Sequence, residues 1–568
     1  MSCSITEAIK EPLKVIDTLF ADYIQDPAAT PNAFDPSQTF ADLFANEEAR
    51  SQIPSINNTP VKQLPKNTLV RFRCMVQDTG LGQEMFVSAY KDQDKVMCYR
   101  YTEDPVDVNF DIHDIPSDYL SERTLVYCVS PPGETQWLKR RLYKEKEGLE
   151  SAMDQLHISQ QDQQQQQPQH KKYPLPNTPH VSAAVKFYAS ADSLRVGQLV
   201  DVIGVLGHHE APEEGSMQHD AIEQAGFDAS HLSLENIPVV HAITFRSLDE
   251  GSKKKAFDSQ QDLPHHDIRA KLIDYLSTVL GGDKLAAEFL LLSLVSRVTA
   301  KNRGVKIGHF TLNLVNFPDT AAAKQSASNM YAPQNNATKL LASLLETLVH
   351  HCVALPLSID LLNKSNFSPK SVNENLEAGM LQLTNGTVVL VDETALTEGK
   401  LGDTGVRNVQ ALSNIINHQS LSYIFPYSQF DFDTDLVVLT LSHGKSMLPN
   451  HCTLRIEPQY NLDELPPMDE DMLDYFRMYI EDLRHAEYEI PEQVSEYIQT
   501  TFVNGRKTAS ANGTPLPSQD DLMLRVSLAR MVSLSFGERV LSKESYDHAM
   551  RLDTSRKART GTQTTGEK

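Results

Sequence analysis

Residues Thr387 to Thr394, Thr-Val-Val-Leu-Val-Asp-Glu-Thr, form an apolar strand that ends in two adjacent carboxylates. Nucleoside-triphosphate hydrolases place such a pair beside Mg-ATP, after a phosphate loop of the form Gly-x-x-x-x-Gly-Lys-Ser/Thr. The glycines of that loop let backbone amides wrap the phosphates, and its lysine reaches the terminal ones. No such loop is present in this chain. The one Gly-Lys-Ser, Gly444-Lys445-Ser446, follows the acidic strand instead of preceding it, and Leu439 stands where the first glycine is required. The pattern predicts an ATPase frame without its phosphate cradle, a combination suited to binding ATPases.

A chain of 568 residues exceeds what a single core supports, so three or four units are expected. Its formal charge of -23 repels nucleic acid at long range, and general DNA binding needs a locally basic face. Lys139, Arg140, Arg141, Lys144 and Lys146, and then Lys253 to Lys255, are short basic runs of the solvated kind. Six cysteines lack any Cys-x-x-Cys spacing, which argues against a zinc site or a disulfide framework and fits a reducing compartment. The N-terminus lacks signal-peptide character, and the densest apolar stretch, Phe289 to Val295, is far below the roughly 20 residues that span a bilayer. A soluble intracellular protein is expected.

The first 45 residues suggest amphipathic helices, with Ile9, Leu13, Ile16, Leu19 and Phe20 on one stripe. Short β-rich segments follow at Leu69–Met75, Met85–Ala89, Val96–Tyr101 and Leu125–Val129. Pro131-Pro132-Gly133-Glu134-Thr135-Gln136-Trp137 then makes a sharp turn carrying the only tryptophan, which either anchors a partner or covers its own core. A Gln-rich stretch within 151–180 reads as a disordered linker. Beyond it, 181–248 reads as an OB-like β segment, because Val200-Asp201-Val202-Ile203-Gly204-Val205 places a glycine where a barrel strand bends. Whether the strands on the two sides of the linker make one barrel or two stays open. Few aromatics and an acidic surround (Glu210, Glu213, Glu214) favour a structural or protein-binding barrel over a single-strand binder. After a second linker at 249–263, helices at Asp267–Leu280 and Lys284–Arg297 lead into strands alternating with helices over 264–470. That alternation predicts a mostly parallel sheet with helices on its faces. Helices are expected over 471–556 and a disordered tail over 557–568.

Strand Phe310–Val315 is followed by Asn316-Phe317-Pro318-Asp319-Thr320-Ala321-Ala322-Ala323-Lys324. This resembles the Gly-Asp-Pro-Gly-x-Ala-Lys-Ser loop of the MCM replicative helicases, with Asn316 and Asp319 where glycines belong and Lys324 displaced. By the same resemblance, Asp392 and Glu393 match the residues that hold the hydrated Mg2+ and polarise the attacking water, although they also suit capping of a following helix. Leu421–Phe425 and Asp435–Ser442 are expected to pair around Pro426-Tyr427-Ser428. The sensor asparagine of the helicases is replaced by Ser442, the arginine-finger segment by Asn450-His451-Cys452-Thr453, and the second sensor arginine by Ser518, which heads a capping box with Asp521.

Longer segments carry a closer likeness. Val389–Thr394, Gly405–Asn414, Val70–Asp78 and Pro131–Trp137 resemble the MCM-binding protein family. The resemblance implies an α/β plus β chain. Its core is a degenerate AAA+/MCM-like ATPase module with a helical lid, behind N-terminal helices and the OB-like region. It also implies a nuclear, non-enzymatic partner of MCM helicase subunits, without cofactor or metal, acting in replication, in assembly or disassembly of the helicase complex and in sister-chromatid cohesion. Association with chromatin would then run through those subunits. The alternatives are a working ATPase with a non-standard pocket and an OB-type single-strand DNA binder.

Overall fold

The computed structural model describes residues 4–92, 95–102, 116–143, 171–189, 193–207, 237–248, 264–302, 305–318, 330–372, 375–460, 464–513 and 515–561. Asp319, Lys324, Glu210, Glu213, Glu214, most of the Gln-rich stretch, the linker 249–263 and the tail beyond 561 lie outside them.

Helices Ile5–Lys10 and Pro12–Tyr23 open the chain. Ser4 caps the first by accepting the Glu7 amide at 3.2 Å. The apolar stripe expected from spacing is the buried face, with Ile16 and Phe20 fully covered and Ile9, Leu13 and Leu19 packed beside them.

Eight strands build the N-terminal unit: β1 (Leu69–Asp78), β2 (Gln83–Val87), β3 (Ala89–Asp92), β4 (Lys95–Cys98), β5 (Leu120–Val129), β6 (Ser182–Phe187), β7 (Leu199–Leu206) and β8 (Val239–Ser247). Their hydrogen bonding runs β1-β7-β8-β6-β5 and returns to β1 through Met75↔Val129, so five strands close one barrel, with β2 added along β5. Among these described strands β6 and β8 pair in parallel and the other pairings are antiparallel. Sequences on both sides of the Gln-rich stretch thus belong to a single barrel, and 1–150 and 181–248 share a core of Val70, Phe72, Cys74, Val126, Val185, Val200 and Val202. Gly204 does what its place suggested. A Cβ there meets the His241 carbonyl oxygen at 2.3 Å, and the β7–β8 register shifts between Ile203 and Gly204. Closure at that bend requires a residue without a side chain.

The second half contributes β9 (Ala300–Asn302), β10 (Val305–Ile307), β11 (Leu312–Val315), β12 (Cys352–Pro356), β13 (Lys370–Val372), β14 (Asn375–Glu377), β15 (Val388–Asp392), β16 (Ser420–Ile424), β17 (Gln429–Asp433), β18 (Val437–Ser442) and β19 (Cys452–Arg455). Five of these form an all-parallel sheet in the order β12-β15-β18-β11-β19. Helices cover both faces, as the continuous apolar strands require. Ile268, Leu272, Phe289 and Leu290 pack with Leu345, Phe476 and Leu528 on one face, and Leu361, Leu412, Ile415 and Ile416 lie on the other. The helices Glu470–His485, Glu492–Ala511, Gln519–Ser535 and Lys543–Gly561 follow. The chain is therefore a mixed α/β protein with a β barrel, as expected.

One expected pairing is different. The hairpin partner of β16 is β17, antiparallel with Tyr423 opposite Phe430, while 437–442 is a central strand of the parallel sheet. Gln-Phe-Asp-Phe-Asp, which carries two carboxylates, is an edge strand in the structure, where charge is tolerated.

The turn at 131–137 joins the two halves. The Cys352 amide donates to the Gly133 carbonyl at 2.9 Å, and the Thr135 amide to that of His350 at 3.0 Å, so the turn lies along edge strand β12. Trp137 Nε1 donates to the Val349 carbonyl at 3.2 Å, and the Arg477 guanidinium lies 4.2 Å from the indole ring. The tryptophan anchors one half of the chain to the other.

Candidate functional site

In the parallel sheet, the chain leaves β11 toward β12 at one edge and leaves β18 toward β19 at the other. β11 and β18 are neighbours, so the chain changes direction at their carboxyl ends, the place where open α/β sheets bind ligands. Asn316 and Ser442 end these two strands, and Asp392 and Glu393 end β15 beside them. Four of the positions singled out from sequence therefore share one edge of the sheet.

Each has a partner within the protein. Asn316 takes a left-handed conformation, φ 64°, and donates Nδ2 to the Ile456 carbonyl at 3.1 Å. The Ser442 hydroxyl bridges Asn313 Oδ1 and the Gly444 carbonyl, both at 3.0 Å, and its own carbonyl accepts the Phe317 amide. Asp392 is fully buried. Its Oδ1 accepts the amide and hydroxyl of Thr394 at 2.9 and 2.5 Å, and Oδ2 has no hydrogen-bond partner.

Glu393 is drawn the other way, into the Gly444-Lys445-Ser446 turn. Its Oε1 accepts the Ser446 hydroxyl at 3.0 Å and the Met447 amide at 3.2 Å. Burial raises its pKa above the ordinary carboxylate value, with the Ser446 and backbone hydrogen bonds opposing. The Gly-Lys-Ser sequence, misplaced along the chain, thus reaches the acidic pair in space, where its serine holds a carboxylate.

Two residues that sequence reading passed over complete the edge. Asn335 accepts the Ala337 amide through Oδ1, capping helix Asn336–Leu348, while its Nδ2 donates to the Pro318 carbonyl at 2.8 Å and to Thr394 Oγ1 at 3.3 Å. An Asn before a helix is a recognisable cap, but its second role depends on two strands meeting. Thr394 belongs to the quoted acidic segment, yet only the fold assigns its hydroxyl to Asp392.

His451 and Ser518 are elsewhere. His451 precedes β19, whose first residue pairs with Leu312 at the start of β11, so it lies at the amino edge, bonded to Thr311 with ring Nδ1 to hydroxyl 3.0 Å. Ser518 caps helix Gln519–Ser535 in a reciprocal box with Asp521. Asp392 Oδ2 is the free carboxylate oxygen, but the second carboxylate and the strand-end hydroxyl are bonded within the chain, and the helix amides that would cradle phosphate begin with one capped by Asn335. Among the described residues there is also no His, Cys, Asp and Glu cluster that could hold a metal, and no helix is long and apolar enough to cross a membrane.

Comparison with known proteins agrees with the sequence resemblance. The chain is 28% identical to the mini-chromosome maintenance complex-binding protein of Gallus gallus, covering 98% of each. It is 28% identical to that of Arabidopsis thaliana over 92% of each, and 26% identical to that of Homo sapiens over 97% of each. The model of the mini-chromosome maintenance replisome factor family matches residues 40–161 and 143–560, so the chain belongs to that family.

Proposed function

We propose that this chain is a non-enzymatic binding partner of MCM helicase subunits. It acts in the nucleus during DNA replication, in assembly or disassembly of the helicase complex and in sister-chromatid cohesion. In this reading its parallel sheet is an AAA+-like module that has lost catalysis, with the C-terminal helices as its lid, and docks where a helicase subunit would. The strand order β12-β15-β18-β11-β19 supports the module, since it sets the sensor-like strand β18 between the acidic strand and the strand before the altered loop.

The observation that carries the reading is the position of Glu393, bonded to Ser446 and Met447 in the turn after β18. A general base must reach its proton, and one oxygen of this carboxylate is committed to the protein. The relatives' names supply the partner.

The barrel fits an OB-type assignment by its five closed strands. Its cations argue against a nucleic-acid role. Arg71, Arg50 and Arg246 converge on Asp201, and Arg123 and Lys186 share Glu84. Co-purification of the full chain with MCM subunits, run beside an ATP-turnover assay, tests the proposal. Retention of the subunits with turnover at background is expected; turnover abolished by Glu393→Gln overturns it.

A further inference from the structure

At the opposite, amino edge of the parallel sheet three arginines gather around one carboxylate. Asp435, just before β18, accepts the Val298 amide at 3.0 Å through Oδ1, and its Oδ2 lies 3.7 Å from Arg484 Nη2. Arg484 also donates Nη1 to the Leu294 carbonyl at 3.2 Å. Arg297, next to Val298, uses Nη1 on His485 at 3.4 Å, while its buried Nε has no partner. Arg530 reaches the same place from helix Gln519–Ser535. Its Nη1 is 3.1 Å from where a Cβ on Gly308 would sit, and the Arg297 carbonyl oxygen is 2.7 Å from that point. Among the described residues the Arg530 guanidinium has no carboxylate or carbonyl acceptor, only the Tyr488 ring at 5.8 Å.

Arg484 thus lies against Asp435, and Arg297 and Arg530 are close enough to feel the charge of the same carboxylate. Glu481 is the next acid in reach, and it is bound to His485 at 3.2 Å and His350 at 3.6 Å. Glu538 is held by the hydroxyls of Ser533, Ser542 and Ser545. Even with Glu481 counted, positive charge is in excess. Burial, with Arg297 beside it, brings the Arg530 pKa down to about 10, which agrees with a cation lacking its counter-charge. Half-buried like-charged guanidiniums are costly unless an anion joins them, and their planar forks match tetrahedral oxyanions.

The geometry points to Arg297, Arg484 and Arg530 as a binding site for a phosphoryl group. A phosphoryl dianion carries about two negative charges at neutral pH, the surplus of three guanidiniums over Asp435. It offers acceptors to the idle donors of Arg297 and Arg530 together. The site lies at the other end of the sheet strands from the altered nucleotide edge.

Calorimetric titration of the full-length protein with inorganic phosphate at low ionic strength tests this, beside a peptide carrying phosphoserine. Saturable binding is expected, weakened about tenfold or more by Arg530→Met. Asp435→Asn, which keeps an acceptor for the Val298 amide, is expected to tighten binding several-fold, a result that loss of folding does not produce. Tighter binding of the peptide than of phosphate, with the same dependence on Arg530, assigns the group to a phosphorylated protein; equal affinity assigns it to free phosphate. Absence of saturable binding to the wild type, or affinity unchanged in both variants, overturns the site.

Discussion

Ser446 donates its hydroxyl to Glu393 across 3.0 Å, joining residues that lie 53 positions apart in the chain. The contact makes the second carboxylate of the acidic pair a structural acceptor, and burial raises its pKa. A carboxyl group with a raised folded-state pKa gives its stabilisation in full below the unfolded value, near 4.5. It loses that stabilisation as pH rises through the folded value. Glu393→Gln, neutral at every pH, is therefore expected to exceed wild type in stability at pH 7 and to match it near pH 4. Urea unfolding at the two pH values checks this, and ATP turnover should remain at background in both proteins.

Trp137 holds the barrel to the α/β half through its ring against Arg477 and its Nε1 on the Val349 carbonyl. Trp137→Ala should cost about 2–3 kcal/mol, below the range for a fully buried tryptophan because the ring is only half-covered. Scanning calorimetry is expected to separate two transitions where the wild type unfolds in one, since the substitution weakens the junction and leaves both cores intact.

Asp201 is fully buried and meets Arg50 at 3.1 Å, Arg71 at 2.7 Å and Arg246 at 3.0 Å. Removing the shared acceptor takes the carboxylate from Arg50 and leaves Arg71 and Arg246 to Glu47, so Asp201→Ala should cost about 3 kcal/mol, the lower end for a broken buried pair. Denaturant titration measures the loss, and proteolysis should cut first near Glu47–Arg50, the short helix that this network holds down.

Asn408 ties helix Asp403–His418 to the segment before it. Its Nδ2 donates to the Leu362 and Ser365 carbonyls at 2.8 and 2.7 Å, and its Oδ1 accepts the Phe367 amide at 3.0 Å. Asn408→Ala leaves three buried backbone groups without partners, at a cost of about 3 kcal/mol. Asn408→Asp keeps one acceptor and loses both donors, so it should not restore stability. Thermal melts of the two variants distinguish loss of hydrogen bonds from loss of volume.

Local chemistry made much of the chain legible before any fold was known. The Val388–Val391 run, the Asp283 cap on Ala286 at 3.1 Å, the capping box of Ser518 and the apolar stripe of the first helices depend on neighbours within a few residues, and the sequence carries those in full. The Gly204 bend was readable for the same reason. Other elements were hidden because their stability comes from afar. Gln429–Asp433 is a strand only beside β16. Gln419 takes a left-handed conformation at φ 47° with its side chain hydrogen-bonded to both backbone groups of Leu436, which no glycine or asparagine signals.

The sequence by itself determined the period of the first helices and of the Val388–Val391 strand, the Asp283 and Ser518 caps, the family and the acidic pair, all of them short-range or directly comparable. Tertiary structure decided which partners meet. β1 closes on β7 through Arg71 and Asp201, 130 residues apart, the 131–137 turn completes the edge of a sheet more than 200 residues later, and Ser446 reaches Glu393. A pattern of apolar and polar residues sets which face is buried, but the identity of the covering partner depends on how the whole chain excludes water and satisfies its buried hydrogen bonds.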